Sequence, residues 1–152
     1  MFKRQGFMVI CLIFVCILLF SCTSAEQTSG KSGQADLLDY CEPRIQELCS
    51  GDELPISLTY RYLGEASEEY TVTDSQTIAA ILDAILNITV CNETDIAATD
   101  SDDIYIFTTA SSETFSFSFN MHHLCVGDKK YELENDQDLW NLTAKIQQGE
   151  SE

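Results

Sequence analysis

His122, His123 and Cys125 stand within four residues of one another and form the most chemically suggestive group in the 152-residue chain. An imidazole and a thiolate together suit zinc or copper. Neighbouring residues of a regular strand point to opposite faces, so His122 and His123 cannot both chelate from one strand. His123 and Cys125, two apart, share a face. The competing reading is a pair of histidines at a turn tip with no ligand. A second candidate uses oxygen. Asp100, Asp102 and Asp103, with Asp95 upstream, place carboxylates at close intervals, as calcium coordination requires. The segment lacks the central glycine and distal glutamate of an EF-hand, so a solvated acidic loop competes with it. The candidate metal ligands are therefore Asp100, Asp102, Asp103 and His123. Cys41, Cys49, Cys91 and Cys125 complete the reactive groups, and no two of them have the close spacing of a structural zinc site.

Other chemistries lack their signatures. There is no Gly-x-Ser-x-Gly elbow and no glycine-rich phosphate loop; the seven glycines are scattered. Two histidines leave little scope for a triad. Carboxylates are so abundant that their pairing selects nothing. The expectation is a protein with no catalytic residue and no cofactor.

The elements that would position these groups follow from periodicity. Leu37 to Cys49 has roughly helical spacing, interrupted by Pro43, which predicts two short helical pieces. Ile56, Leu58, Tyr60 and Tyr62 alternate with polar residues, as in a strand with one buried face. Tyr70–Val72 returns after a polar turn. Thr73-Asp74-Ser75-Gln76 matches a capping box with Thr73 as the cap. The helix after it carries Ile78, Ile81, Leu82 and Ile85 on one stripe. A short strand at Ile88–Cys91, the acidic loop and a strand at Ile104–Thr109 come next. Phe115, Phe117 and Phe119 then alternate with Ser116 and Ser118, which fixes that strand's register, because a one-residue slip would expose all three rings. Leu124–Val126 and Lys130–Leu133 form a hairpin across Gly127-Asp128, and a last helix, capped by Asn135 or Asp136, carries Leu139, Leu142, Thr143 and Ile146. Sequential strands of this kind pair antiparallel. The expected class is α+β: a mainly antiparallel sheet in the order β-β-α-β-β-β-β-α, with two helices packed on one face and Phe115, Phe117 and Phe119 facing the first of them.

The amino terminus has a different character. Lys3 and Arg4 precede a 14-residue apolar run, Phe7–Phe20. A spanning helix needs about 20 such residues. A basic start, a short apolar stretch and small residues after it form the layout of a secretory leader. The run ends Leu19-Phe20-Ser21-Cys22, which resembles the lipobox of bacterial lipoproteins, with Phe20 larger than is usual at its position. That resemblance implies a diacylglyceryl thioether on Cys22, and two acyl chains suffice for stable anchoring. Ordinary cleavage after Ala25, or an uncleaved anchor, are the alternatives. The organisation divides into a leader, residues 1–21; the anchor cysteine and a flexible Ser/Thr/Gly/Gln-rich linker, residues 22–36; and a single domain, residues 37–152. Taken with Tyr70-Thr71-Val72-Thr73-Asp74 and its helix, and with Val126-Gly127-Asp128-Lys129-Lys130-Tyr131 before Leu139-Trp140, the chain is similar to the small lipoproteins of unknown function of Gram-positive bacteria.

Export bears on the cysteines. Past the leader and Cys22 an even number remains, which permits two disulfides in any of three pairings, or buried free thiols. Charge bears on partners. The chain carries 25 acidic and 8 basic residues, a net −17, and losing Lys3 and Arg4 takes it to −19. Such a field repels phosphate backbones, so nucleic acid is excluded as a partner. The expected protein sits on the outer face of the cell membrane, held there by lipid. It is a non-catalytic binding or accessory module for an extracellular protein or, alternatively, an extracytoplasmic cation-binding or sensing protein.

Overall fold

The computed structural model describes residues 34–149 apart from Asp52 and Ala98. The leader, Cys22 and the linker as far as residue 33 lie outside the described residues.

Leu37–Tyr40 forms a 3-10 turn, and Pro43 opens helix α1 (Pro43–Ser50). Proline is tolerated there because a first-turn N–H has no helical partner to lose. These are the two short pieces that the sequence predicts. The strands are β1 (Ala35–Asp36), β2 (Pro55–Leu63), β3 (Glu68–Val72), β4 (Thr89–Thr94), β5 (Asp102–Thr109), β6 (Thr114–Asn120), β7 (His123–Val126) and β8 (Lys129–Glu134). Helix α2 (Ser75–Leu86) follows β3, and helix α3 (Gln137–Gln147) follows β8. Every strand pairing is antiparallel, in one eight-stranded sheet of order β1-β4-β8-β7-β6-β5-β2-β3. The class is thus mixed helix and antiparallel sheet.

The element order departs from expectation. Five strands, not four, separate α2 from α3, because the short strand expected at Ile88–Cys91, which that order leaves out, is a full strand, Thr89–Thr94, held between β1 and β8. Its ladder with β8 shifts between Val90 and Glu93, which spoils the period-2 pattern by which a strand is read. Helix α1 is a third helix. Strand β1 falls in the segment expected to be linker: Ala35 and Asp36 pair with Val90 and Thr89. Main-chain pairing at a sheet edge needs no apolar side chain, so composition gives no sign of it.

Two local expectations also change. The cap of α2 is Asp74 rather than Thr73; its carboxylate accepts the Thr77 N–H at 2.6 Å. That bond holds the Asp74 carboxyl below its usual range. In β2 the register shifts between Pro55 and Ser57, so Pro55 takes the inward position and Ile56 is left 56 % exposed.

One face of the sheet carries the core. Tyr60 pairs across to Tyr105, Tyr105 to Phe117, and Phe107 to Phe115. All five rings are buried, and the intervening Ser116 and Ser118 are exposed. Ile78, Ile81, Leu82 and Ile85 of α2 join the same cluster, with Leu139 and Ile146 of α3. Helix α3 also bonds to the sheet: Gln147 donates to the Tyr60 hydroxyl at 3.1 Å, and Tyr105 and Thr143 share a 2.7 Å hydroxyl contact. Helix α1 lies against β6, and Trp140 of α3 is set edge-on to Phe119 at 5.7 Å. The three rings expected to face α2 share one buried core with it and with α3. Three helices divide the cover, and periodicity on one strand does not select among them.

Candidate functional site

The strand β6 turns into β7 over two residues, Met121 and His122, both at positive φ (49° and 62°). This is the geometry of a tight I′ hairpin, which normally takes Asn-Gly. For residues with a Cβ it costs about 1–2 kcal/mol each. The His122 ring lies flat on Trp140, with centroids 4.0 Å apart and planes 12° from parallel. Trp140 is itself fixed by donating its indole N–H to Asp136 at 2.5 Å. The next residue, His123, begins β7 on the outward side of the sheet, and its Nδ1 is 2.7 Å from the Met121 carbonyl oxygen.

The return hairpin sets what His123 faces. Gly127, at φ 63°, turns β7 into β8, with Val126 opposite Lys129, Cys125 opposite Lys130 and Leu124 opposite Tyr131. One step further the register puts His123 across from Glu132. Leu124 is buried and Tyr131 half-buried on the core side, so His123 and Glu132 project together on the other side. A cleft of about 550 Å³ opens there, where the β4–β8 ladder is irregular. Its lining holds the carboxylates of Glu132, Glu134 and Asp136 and both imidazoles, with the buried Cys91 among them. Among the described residues no lysine or arginine lines it. Glu134 accepts a 2.9 Å bond from Gln34, which lies at the rim just before β1.

The remaining expected ligands do not converge. Asp102 and Asp103 are consecutive in β5 and face opposite ways. Asp102 accepts from Asn120 at 2.8 Å, whereas Asp103 accepts from the buried Tyr60 hydroxyl at 2.6 Å. Asp100 is exposed in the loop. Cys125 follows His123 on the outward side but lies away from the cleft lining. Among the described residues no three His, Cys, Asp or Glu groups stand close enough to hold an ion as they are placed.

The acidic loop is pinned rather than free. Asn120, only 4 % exposed, donates to Thr99 O at 3.0 Å and to Ser101 O at 2.8 Å, in addition to Asp102. Its oxygen accepts from the Lys130 ammonium at 2.6 Å, and that buried ammonium also reaches Ala97 O at 3.1 Å. Sequence reasoning missed this clasp, and it missed Glu132 and Glu134. The two glutamates had a signal: they alternate on β8, and a two-residue turn at Gly127-Asp128 already fixes Glu132 opposite His123. The clasp had none, because Asn120 and the loop meet only through tertiary structure.

Among the described residues Cys41, Cys49, Cys91 and Cys125 are free thiols, and each is shifted away from reactivity. Burial raises Cys41. Burial, then the neighbouring Cys41, pushes Cys49 up to about 11. Burial and the charges of Glu134 and Glu132 raise Cys91. Partial shielding of its sulfur raises Cys125 against the opposing pull of Lys130. A nucleophilic thiol needs the opposite environment. Every buried side-chain nitrogen and oxygen among the described residues has a partner.

Asp103 provides a test of the polar network. Burial raises its carboxyl, and this outweighs the stabilising Tyr60 bond and the nearby His122. The folded protein therefore holds that proton more tightly than the unfolded chain does. Stability falls as pH rises from the ordinary carboxylate range through the raised value. In Asp103→Asn the amide oxygen still accepts from Tyr60 and the charge is gone. Urea denaturation should show a higher midpoint for this variant at neutral pH, with the advantage fading in acid, where both side chains are neutral. A lower midpoint at neutral pH would show that the charge is used in the fold.

Comparison with protein-family models finds no match, and comparisons with curated proteins and with solved structures find none either.

Proposed function

We propose that this chain is a lipid-tethered module on the outer face of the cell membrane, a relative in kind of the small Gram-positive lipoproteins, which binds a cationic ligand without transforming it. The observation that carries the binding reading is the cleft beside His123. It gathers three carboxylates, with no lysine or arginine among the described lining residues, so it favours positive charge. The non-catalytic reading rests on the same place. Burial and Glu134 raise the Cys91 thiol above its usual range, away from a nucleophilic thiolate. The Nδ1 of His123 is occupied by a main-chain carbonyl, and among the described residues neither imidazole bonds to a hydroxyl or thiol. The layering in this reading puts α2 and α3 together over the aromatic face, leaving the outward face, with His123 and Glu132, for the ligand.

The tether reading rests on Leu19-Phe20-Ser21-Cys22 and on the short apolar run before it. Among the described residues no helix is long and apolar enough to cross a membrane. Cys22→Ala tests it. Intact-mass analysis of the membrane fraction should find a diacylglyceryl adduct on Cys22 in the native protein. The variant should accumulate as precursor or be cut after Ala25, without lipid. A native mature chain that starts at Glu26 and carries no lipid would overturn the tether.

A further inference from the structure

We infer that His123 and Glu132, opposite each other across β7 and β8 in the cleft, form the nucleus of a site for a divalent transition-metal ion of the zinc class. This rests on the reading of the cleft as a cation seat and names the cation. Three observations lead to it. First, an imidazole and a carboxylate on facing positions of neighbouring strands have Cβ atoms about 5 Å apart, a separation that one ion coordinated by both can span. Second, His123 is oriented as metal-binding histidines are. Its Nδ1 is tied to the Met121 carbonyl at 2.7 Å, which fixes the tautomer and leaves the Nε2 lone pair free for a metal. Third, the cleft supplies further donors: Glu134, two residues along β8 on the same side, and His122, both exposed at its wall.

The donor set also selects the metal. Two imidazoles and two carboxylates match the nitrogen and oxygen ligands of zinc, which needs only three protein groups and a water. Calcium takes six to eight oxygens, and here Asp136 is already engaged by Trp140. Cys91 is buried beneath the wall and is not part of the set. As the side chains stand, no three donors converge. Closure requires Glu134 to leave Gln34, or His122 to leave Trp140. Both side chains are at the surface, so neither rotation opens a hole in the core.

The experiment is calorimetric titration of the purified full chain with zinc, calcium and spermidine in separate runs, on the native protein, His123→Gln and Glu132→Gln. Far-ultraviolet circular dichroism confirms that each variant is folded. Zinc should bind once per chain, more tightly than about millimolar, and each substitution should weaken it at least about tenfold. Calcium and spermidine should bind more weakly than zinc. Zinc affinity within twofold of native in both folded variants overturns the inference. Binding of spermidine but not zinc overturns it as well, while leaving the cleft a seat for cations. Binding of none of the three removes both readings.

Discussion

Replacement of Phe117 by alanine should unfold the domain or leave it barely stable. The ring is 3 % exposed and edge-on to Phe107 and Phe115, at centroid distances of 6.2 and 6.1 Å. It sits across from the fully buried Tyr105. Truncating such a ring costs about 3–5 kcal/mol, from lost transfer energy and from the cavity left behind. A domain of this size has about 5–15 kcal/mol in total. Ser116→Ala and Ser118→Ala, at exposed positions on either side, should move stability by less than about 0.5 kcal/mol. Urea denaturation followed by circular dichroism measures all three. Because the positions are neighbours on one strand, the contrast tests the one-sided burial of β6 rather than general fragility. Equal losses at Phe117 and Ser118 would require a second packed layer on the outward face.

The second large effect is expected at Asn120. In Asn120→Ala, Thr99 O, Ser101 O and Asp102 lose a donor, and the Lys130 ammonium keeps only Ala97 O. Each buried group left without a partner costs about 1–3 kcal/mol, and a charged one more. Water entering as the loop lifts will recover part of this, so a net loss of about 3 kcal/mol is expected. Limited proteolysis should then cut near Thr99–Ser101, where the native protein resists. Much of the loss comes from stranding the ammonium. Asn120→Ala combined with Lys130→Met should therefore be more stable than Asn120→Ala alone, since an apolar residue of similar length has no charge to satisfy. A double variant less stable than the single one would mean that Lys130 holds the loop independently of Asn120.

These two sites differ in how far they could be read before the fold was known. The Phe115–Phe119 alternation is a local pattern with one solution: three rings and two serines on a strand must sort to opposite faces. The stripe of α2 and the Pro43 break are likewise local. So is the Gly127-Asp128 turn, and its length alone brings His123 to Glu132. For these, chain geometry over a few residues settles the answer.

Other features depend on which distant segments meet. That β2 lies beside β5 and β4 beside β8 follows from packing the whole sheet, and the order β1-β4-β8-β7-β6-β5-β2-β3 is not contained in any window of the chain. Ile56 reads as an inward residue by alternation, but a register shift at Pro55–Ser57, imposed by pairing with β5, turns it out. Asp102 and Asp103 read as a joint ligand set until the strand sends one to Asn120 and the other to Tyr60. The sequence by itself determined the faces of β6 and the main helical stripe, because these depend on neighbours within a turn or two, and its composition set the acidic charge. The cleft, the Asn120–Lys130 clasp and the separation of the aspartates were decided only by the tertiary structure, because each depends on side chains that long-range strand pairing and loop packing bring together or drive apart.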